Sequence, residues 1–140
     1  MNEANGYFEI TEYKVTSERT RGGRSQVNAE VEVRVEGSSI RRSATGNGPV
    51  HALDAALRDC LATPFPEIDS VRLADYRVSV VDAFDGTGAQ VKVLIEATDG
   101  EARWDAGCVS TNIVDASFEA LCSTAIMGII RARNAARRSA

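Results

Sequence analysis

An α+β fold of two tandem βββα units, each an antiparallel three-stranded sheet packed on a helix, is what this sequence predicts. Three observations lead there: an internal repeat, a run of strict apolar–polar alternation, and an apolar helical stripe closing each half. The repeat comes first, because an overlooked duplication misassigns the whole fold. Glu12-Tyr13-Lys14-Val15 returns 63 positions later as Asp75-Tyr76-Arg77-Val78, an acid, a tyrosine, a base and a valine in the same order. Gln26-Val27 returns as Gln90-Val91, and Val50, Ala52, Ala56 and Leu57 meet Val114, Ala116, Ala120 and Leu121 at an offset of 64.

The first unit is expected over about residues 7–62. Tyr7 to Ser17 is rich in aromatic and β-branched residues and reads as a strand. Gly22-Gly23 supplies positive φ for the turn that follows. Val27, Ala29, Val31, Val33 and Val35 then alternate with Asn28, Glu30, Glu32, Arg34 and Glu36, the period-two pattern of a half-buried strand. A third strand, about Ser39 to Ala44, follows a turn at Gly37. Val50, Leu53, Leu57, Cys60 and Leu61 share one helical face, and the helix must stop before Pro64 and Pro66.

The second unit, about residues 70–135, repeats the order. Strands are expected near Val71 to Asp82, Ala89 to Thr98 and Glu101 to Val109, joined by turns at Asp85-Gly86 and Asp99-Gly100. Val114, Phe118, Leu121, Cys122, Ala125, Ile126 and Ile129 make a stripe wider than a small sheet needs, which leaves part of that face for a second subunit.

Each helix start has its own signal. Pro49 suits the first helical position, where its missing N–H costs nothing, and so places Gly48 at the N-cap. The repeat aligns Gly48 with Asn112, a favoured capping residue. Free N–H groups at such a start can cradle a carboxylate, although on its own Gly46-Asn47-Gly48-Pro49 reads first as plain capping.

Composition narrows the function classes. With 44% apolar and 26% charged residues over 140 positions, the chain reads as one ordinary globular domain, 1–140. A net charge of −4 argues against nucleic acid as a partner, because phosphate neutralisation needs clustered cations. Arg131, Arg133, Arg137 and Arg138 crowd the end of the last helix, where cations complement its dipole. No run of about 18 apolar residues and no leader pattern is present, so neither membrane nor export is expected and the cytoplasm is. Cys60, Cys108 and Cys122 are an odd number with no CxxC spacing, which suggests reduced, mostly buried thiols rather than a disulfide or metal framework. His51, the only histidine, has no nucleophile or carboxylate pair at a recognisable spacing, and reads as an ordinary surface side chain.

At the level of motifs, Gly46-Asn47-Gly48-Pro49-Val50 resembles the GxGPV sequence that opens the first regulatory helix of 2-isopropylmalate and citramalate synthases. Leu73-Ala74-Asp75-Tyr76, Asp85-Gly86-Thr87-Gly88-Ala89, Trp104 through Gly107 and Ser110 through Ser117 follow that family's order, the last two resembling citramalate synthases in particular. The likeness spans about residues 8–130. It implies the C-terminal regulatory domain: two βββα units, a homodimer, and leucine or isoleucine bound as a feedback inhibitor. Carried over by motif, the effector site would use Asn47, Gly48 and Val50 at the first helix start, with Leu73, Tyr76, Val80, Ala89 and Val91 from the second unit. The chemistry suits those residue types. A branched aliphatic side chain gains roughly 1.5–3 kcal/mol when fully buried, an α-carboxylate needs donors, and a tyrosine offers a wall with a polar tip. Taken singly, Leu73, Val80 and Val91 read first as ordinary core.

The family's catalytic barrel, with its divalent metal and acyl-CoA-dependent condensation, has no counterpart here, so no catalytic residue, cofactor or metal is expected. The resemblance therefore implies a module that senses a branched-chain amino acid and acts on a synthase catalytic domain in cis or in trans. Two other readings stand beside it. One is a dimerisation scaffold that has kept the fold without the pocket. The other is a small enzyme using acids such as Asp82, Asp85 and Asp105, against which stands the usual turn-forming work of such residues.

Overall fold

The computed structural model describes residues 6–23, 25–81 and 88–139. The order of elements is β1 (Glu9–Arg19), β2 (Ser25–Val35), β3 (Ser38–Gly46), α1 (Pro49–Leu61), a 3-10 turn (Pro66–Ser70), β4 (Arg72–Val80), β5 (Val91–Thr98), β6 (Arg103–Ser110) and α2 (Ile113–Ser139). The βββα unit occurs twice, as expected. The chain divides into two compact units at Pro66/Glu67.

In the first unit β1-β2-β3 form one antiparallel sheet. β2 is the central strand, and its alternation is the reason for its place: Val27, Ala29, Val31 and Val33 are 0–4% exposed. α1 covers them with Ala52, Leu53, Ala56, Leu57, Cys60 and Leu61, all buried. Phe8 and Tyr7 pack edge-on or tilted against Phe65 and close one end of the core. The outer face is polar. There Arg41 of β3 reaches Glu12 of β1 and Glu30 and Glu32 of β2 at 3.0–3.4 Å, a solvated network that favours register more than stability.

The second unit repeats the sheet as β4-β5-β6, with the same register at the same offsets. Tyr13 pairs with Val31 and Val15 with Ala29; Tyr76 pairs with Ile95 and Val78 with Val93. Each first strand also carries a bulge at the equivalent place, between Ile10 and Glu12 and between Leu73 and Asp75. α2 packs over β5 and β6. Gly128 sits so close to the sheet that a Cβ there would lie 2.4 Å from Val71 Cγ2 and 3.0 Å from the Trp104 ring. Trp104 Nε1–H donates to the Thr124 carbonyl at 3.0 Å, and the Arg131 guanidinium lies 5.8 Å from the centre of the same ring. Arg131 also donates to Asp99 at 3.0 Å and Arg133 to Glu67 at 2.7 Å, so two of the four terminal arginines are held by acids of their own unit.

Several local expectations are corrected. The first turn takes positive φ at Gly22 only, not at both glycines, while the second takes it at Glu36 as well as Gly37. Two successive left-handed residues are what a two-residue hairpin loop between Val35 and Ser38 requires. The turn expected at Asp85-Gly86 lies outside the described residues. α2, though interrupted by polar residues, reaches a mean hydropathy of 1.6 over 18 residues and is long and apolar enough to cross a bilayer. More than half of that window, 56%, is buried, which makes it a core helix here. Cys60 and Cys122 are buried and Cys108 half-buried. Burial pushes the Cys60 thiol up to about 11, away from thiolate chemistry.

Candidate functional site

The eight residues expected to hold an effector divide between the two units. Asn47, Gly48 and Val50 occupy the β3–α1 junction of the first. Its geometry begins with Gly46, the last residue of β3, where a Cβ would fall 2.5 Å from the Ala52 nitrogen and 2.9 Å from its Cα. The strand end and the helix approach too closely there for any side chain. Gly48 differs: its φ of −160° is open to any residue, and a Cβ there would meet nothing within 4 Å. Its carbonyl accepts the first helical bond, from Ala52 N–H at 3.0 Å.

No side chain caps α1 at Gly48, and no acid stands in the helix's first turn. The α2 start is the opposite. Asn112 Oδ1 accepts from Val114 N–H at 2.9 Å and Asp115 N–H at 3.1 Å, while Ser110 Oγ accepts from Asn112 N–H at 3.0 Å. The start of α2 is closed by its own side chains, whereas that of α1 keeps open space and a partial positive charge. His51 is more than the ordinary surface residue expected. Its Nδ1, though the residue is exposed, accepts the Asn47 N–H at 3.0 Å, reaching back from the first turn to the residue before the N-cap. One turn on, Asp54 accepts from Arg58 Nε at 3.1 Å, and burial raises the Asp54 carboxyl in spite of that partner.

In the second unit Leu73, Tyr76 and Val80 lie on one face of β4. Strict alternation would set Leu73 and Tyr76 on opposite faces; the bulge between them restores them to one. They stand opposite Ala97, Ile95 and Val91 of β5. Directly paired residues share a face, so this is the face that α2 covers over β5 and β6. At β4 the cover ends. Leu73 is 36% exposed, Tyr76 39% and Val80 60%, whereas Ile95 and Ala97 are fully buried. Val91, half-buried, opens β5 opposite Val80, and Ala89, buried, precedes it.

Two further residues belong to this face that the motif did not supply. Val78, 40% exposed, stands between Tyr76 and Val80, and the period-two spacing of those two residues marks it. Ser117 of α2, fully buried, has its hydroxyl 3.0 Å from the Tyr76 phenol oxygen. Nothing in the sequence signals that pairing. On the other face of β4, Asp75 accepts from Arg77 at 2.7 Å and from Tyr76 N–H at 2.9 Å, which together hold its carboxyl below the usual range. Asp105 lies on the opposite, polar face of the sheet with Asp75, Arg77 and Glu96; Asp82 and Asp85 lie outside the described residues.

Two βββα units in tandem, the first with an open helix start and the second with an open apolar sheet face, define the class of fold. The LeuA allosteric (dimerisation) domain model matches residues 1–127, and the chain belongs to that family. It is 41% identical over 116 residues to an (R)-citramalate synthase of Geobacter sulfurreducens and 36% identical over 126 residues to one of Aquifex aeolicus, alignments that cover 82% and 89% of this chain. A 2-isopropylmalate synthase of Shewanella sediminis is 28% identical over 114 residues, 81% of this chain. The matched segment makes up 22%, 24% and 20% of those three proteins, so the chain spans less than a quarter of the length of these relatives.

Proposed function

We propose that this chain is the effector-sensing, homodimer-forming module of a citramalate synthase- or 2-isopropylmalate synthase-type enzyme, that it binds leucine or isoleucine for feedback inhibition, and that it has no catalytic role of its own. Residues 1–140 act together as one regulatory domain in the cytoplasm, with a synthase barrel in cis or in trans as the listener. The observation that carries the reading is the uncovered apolar face of β4, where Leu73, Tyr76 and Val80 offer a branched side chain a wall with one polar tip. The start of α1 supports it, since no side chain caps it, and Gly48 and Val50 leave room for an α-carboxylate beside Asn47, whose own N–H is held by His51. Ala89 and Val91 extend the apolar lining. Inhibition requires that the amino acid bind one state of the synthase better than the other.

A thermal-denaturation titration with leucine, isoleucine and valine, against alanine and phenylalanine, tests this. Binding to the native state alone raises stability by about 2.7 kcal/mol at one hundred times Kd. A selective rise supports the sensor; no rise at millimolar concentrations removes it.

One observation favours a second reading, a dimerisation scaffold without a ligand. Among the described residues every exposed large apolar side chain, from Leu73 to Ile130, lies in the second unit and none in the first. A concentration of apolar surface of that kind is what a subunit interface covers. Sedimentation equilibrium of the Val80→Glu variant, with and without amino acid, separates the two: the scaffold reading needs dimer loss with no ligand effect in the parent chain.

A further inference from the structure

Two buried polar side chains lie on α2, Ser117 and Thr124, exposed by 0% and 1%. They are satisfied differently. Thr124 Oγ1 donates to the Leu121 carbonyl at 3.0 Å, a bond inside the helix that is indifferent to the sheet. Ser117 has the same option on its own helix, yet its Oγ lies 3.0 Å from the phenol oxygen of Tyr76, 41 residues away on β4. That strand is an edge of its sheet, and α2 packs over β5 and β6. Tyr76, at 39% exposure, is therefore not gripped by packing on all sides. An aromatic ring half in water samples several orientations, because its outer torsion is broad. A hydrogen bond at the far end of the ring selects one.

The geometry points to Ser117 as the positioning residue of the amino-acid site: its buried hydroxyl holds the Tyr76 ring against α2 and so fixes one wall of the pocket. This rests on the effector reading above. Ser117 acts through Tyr76 and needs no contact with the amino acid. Loss of either hydroxyl frees the ring to drift into the space that a branched side chain would occupy. The net worth of one neutral hydrogen bond then appears as a weakening of roughly three- to tenfold in affinity.

The chain has three tyrosines, Tyr7, Tyr13 and Tyr76, so in protein labelled with 13C at the tyrosine ring the Tyr76 signal is identified by its absence in Tyr76→Phe. The experiment compares the parent chain with Ser117→Ala, Tyr76→Phe and the double variant, in ring spectra without ligand and in thermal titrations with leucine and isoleucine. Alanine is a good helix former, so Ser117→Ala keeps the helix intact. The Tyr76 ring signal shifts in Ser117→Ala before any ligand is added, both single variants bind about three- to tenfold more weakly, and the double variant binds no more weakly than either. Parent-like affinity in Ser117→Ala with an unmoved Tyr76 signal overturns this inference and leaves the effector reading intact. Additive losses in the double variant overturn it too, since the two hydroxyls would then act separately. Failure of the parent chain to bind either amino acid overturns both.

Discussion

The two glycines of the Gly46-Asn47-Gly48-Pro49 turn differ in what surrounds them, and on the proposed effector reading alanine at each in turn separates structure from binding. At Gly46 the added methyl falls 2.5 Å from the Ala52 nitrogen, 2.9 Å from its Cα and 3.0 Å from the His51 carbonyl carbon. All three are backbone atoms of α1, so no side chain can swing aside. Relief to ordinary contact needs a displacement of about 1 Å between the end of β3, which pairs with Val27 at this point, and the first turn of a helix whose core face is fully buried. Overpacking usually costs 1–3 kcal/mol, and an immovable partner puts Gly46→Ala at about 3 kcal/mol. For a chain of this size that lowers Tm by about 10 °C. At Gly48 the methyl enters open space with a φ any residue adopts, leaving only the poorer N-cap preference of alanine, under about 1 kcal/mol. Thermal denaturation by circular dichroism with leucine or isoleucine present and absent gives both readouts. Gly46→Ala melts early; Gly48→Ala melts near the parent but loses its response to the amino acid. A Gly46→Ala variant melting within a degree or two of the parent, or a Gly48→Ala variant as damaged as Gly46→Ala, would refute the reasoning.

Asn112→Ala removes the acceptor for the Val114 and Asp115 N–H groups and should cost about 1 kcal/mol by urea denaturation, with an unchanged m-value. Glu36→Asn places a residue tolerant of left-handed backbone at a φ of 50°, and the same assay should show a gain of about 0.5–1 kcal/mol. Asp99 is held down to about 2 by the Ala102 and Glu101 N–H groups and by Arg131, against an ordinary 3.8. A depressed carboxyl stabilises the fold above its unfolded value, and that contribution fades as pH falls through the folded one, so the window is about pH 4 to about 2. Asn at 99 keeps the turn acceptor and removes the charge, so acid titration of Asp99→Asn should show a shallower loss of stability in that window than the parent does.

The repeat was readable because it rests on chemistry that cannot be exchanged freely. An acid, an aromatic, a base and a valine at Glu12 to Val15 and at Asp75 to Val78 reproduce one register twice. The alternation of β2 foretold a central strand because half-burial demands it. Other features depend on distances that no periodicity encodes. The bulges after Ile10 and Leu73 put residues three apart on one face, against simple alternation. The spacing of the GxGP turn marks both glycines alike, yet only Gly46 is forced by a close approach. His51 reads as a surface residue until the chain brings the Asn47 N–H to its ring, and the Ser117–Tyr76 pairing joins residues 41 apart. Of the candidate site, the side-chain types on β4 were legible, and their exposure was not, because it depends on how far α2 reaches across its sheet.

Duplication followed by divergence accounts for that exposure. Both halves place a tyrosine on the inner face of the first strand and begin a helix after the third. The first half covers the head of its first strand with Ile10 at 7% exposure and with Phe8 and Phe65 at 3% and 4%, leaves Tyr13 and Val15 half-buried, and has no capping side chain at Gly48. The second half closes its helix start with Asn112 and Ser110, but leaves Leu73, Tyr76, Val78 and Val80 between 36% and 60% exposed. Each copy covers more of the feature that the other leaves open. A duplicated unit selected for stability alone would have no reason to keep either opening, since a bare cap and an uncovered apolar strand both cost free energy. On the proposed effector reading each opening has its own reason to persist, the helix start as a place for a carboxylate and the strand face as a place for an aliphatic side chain.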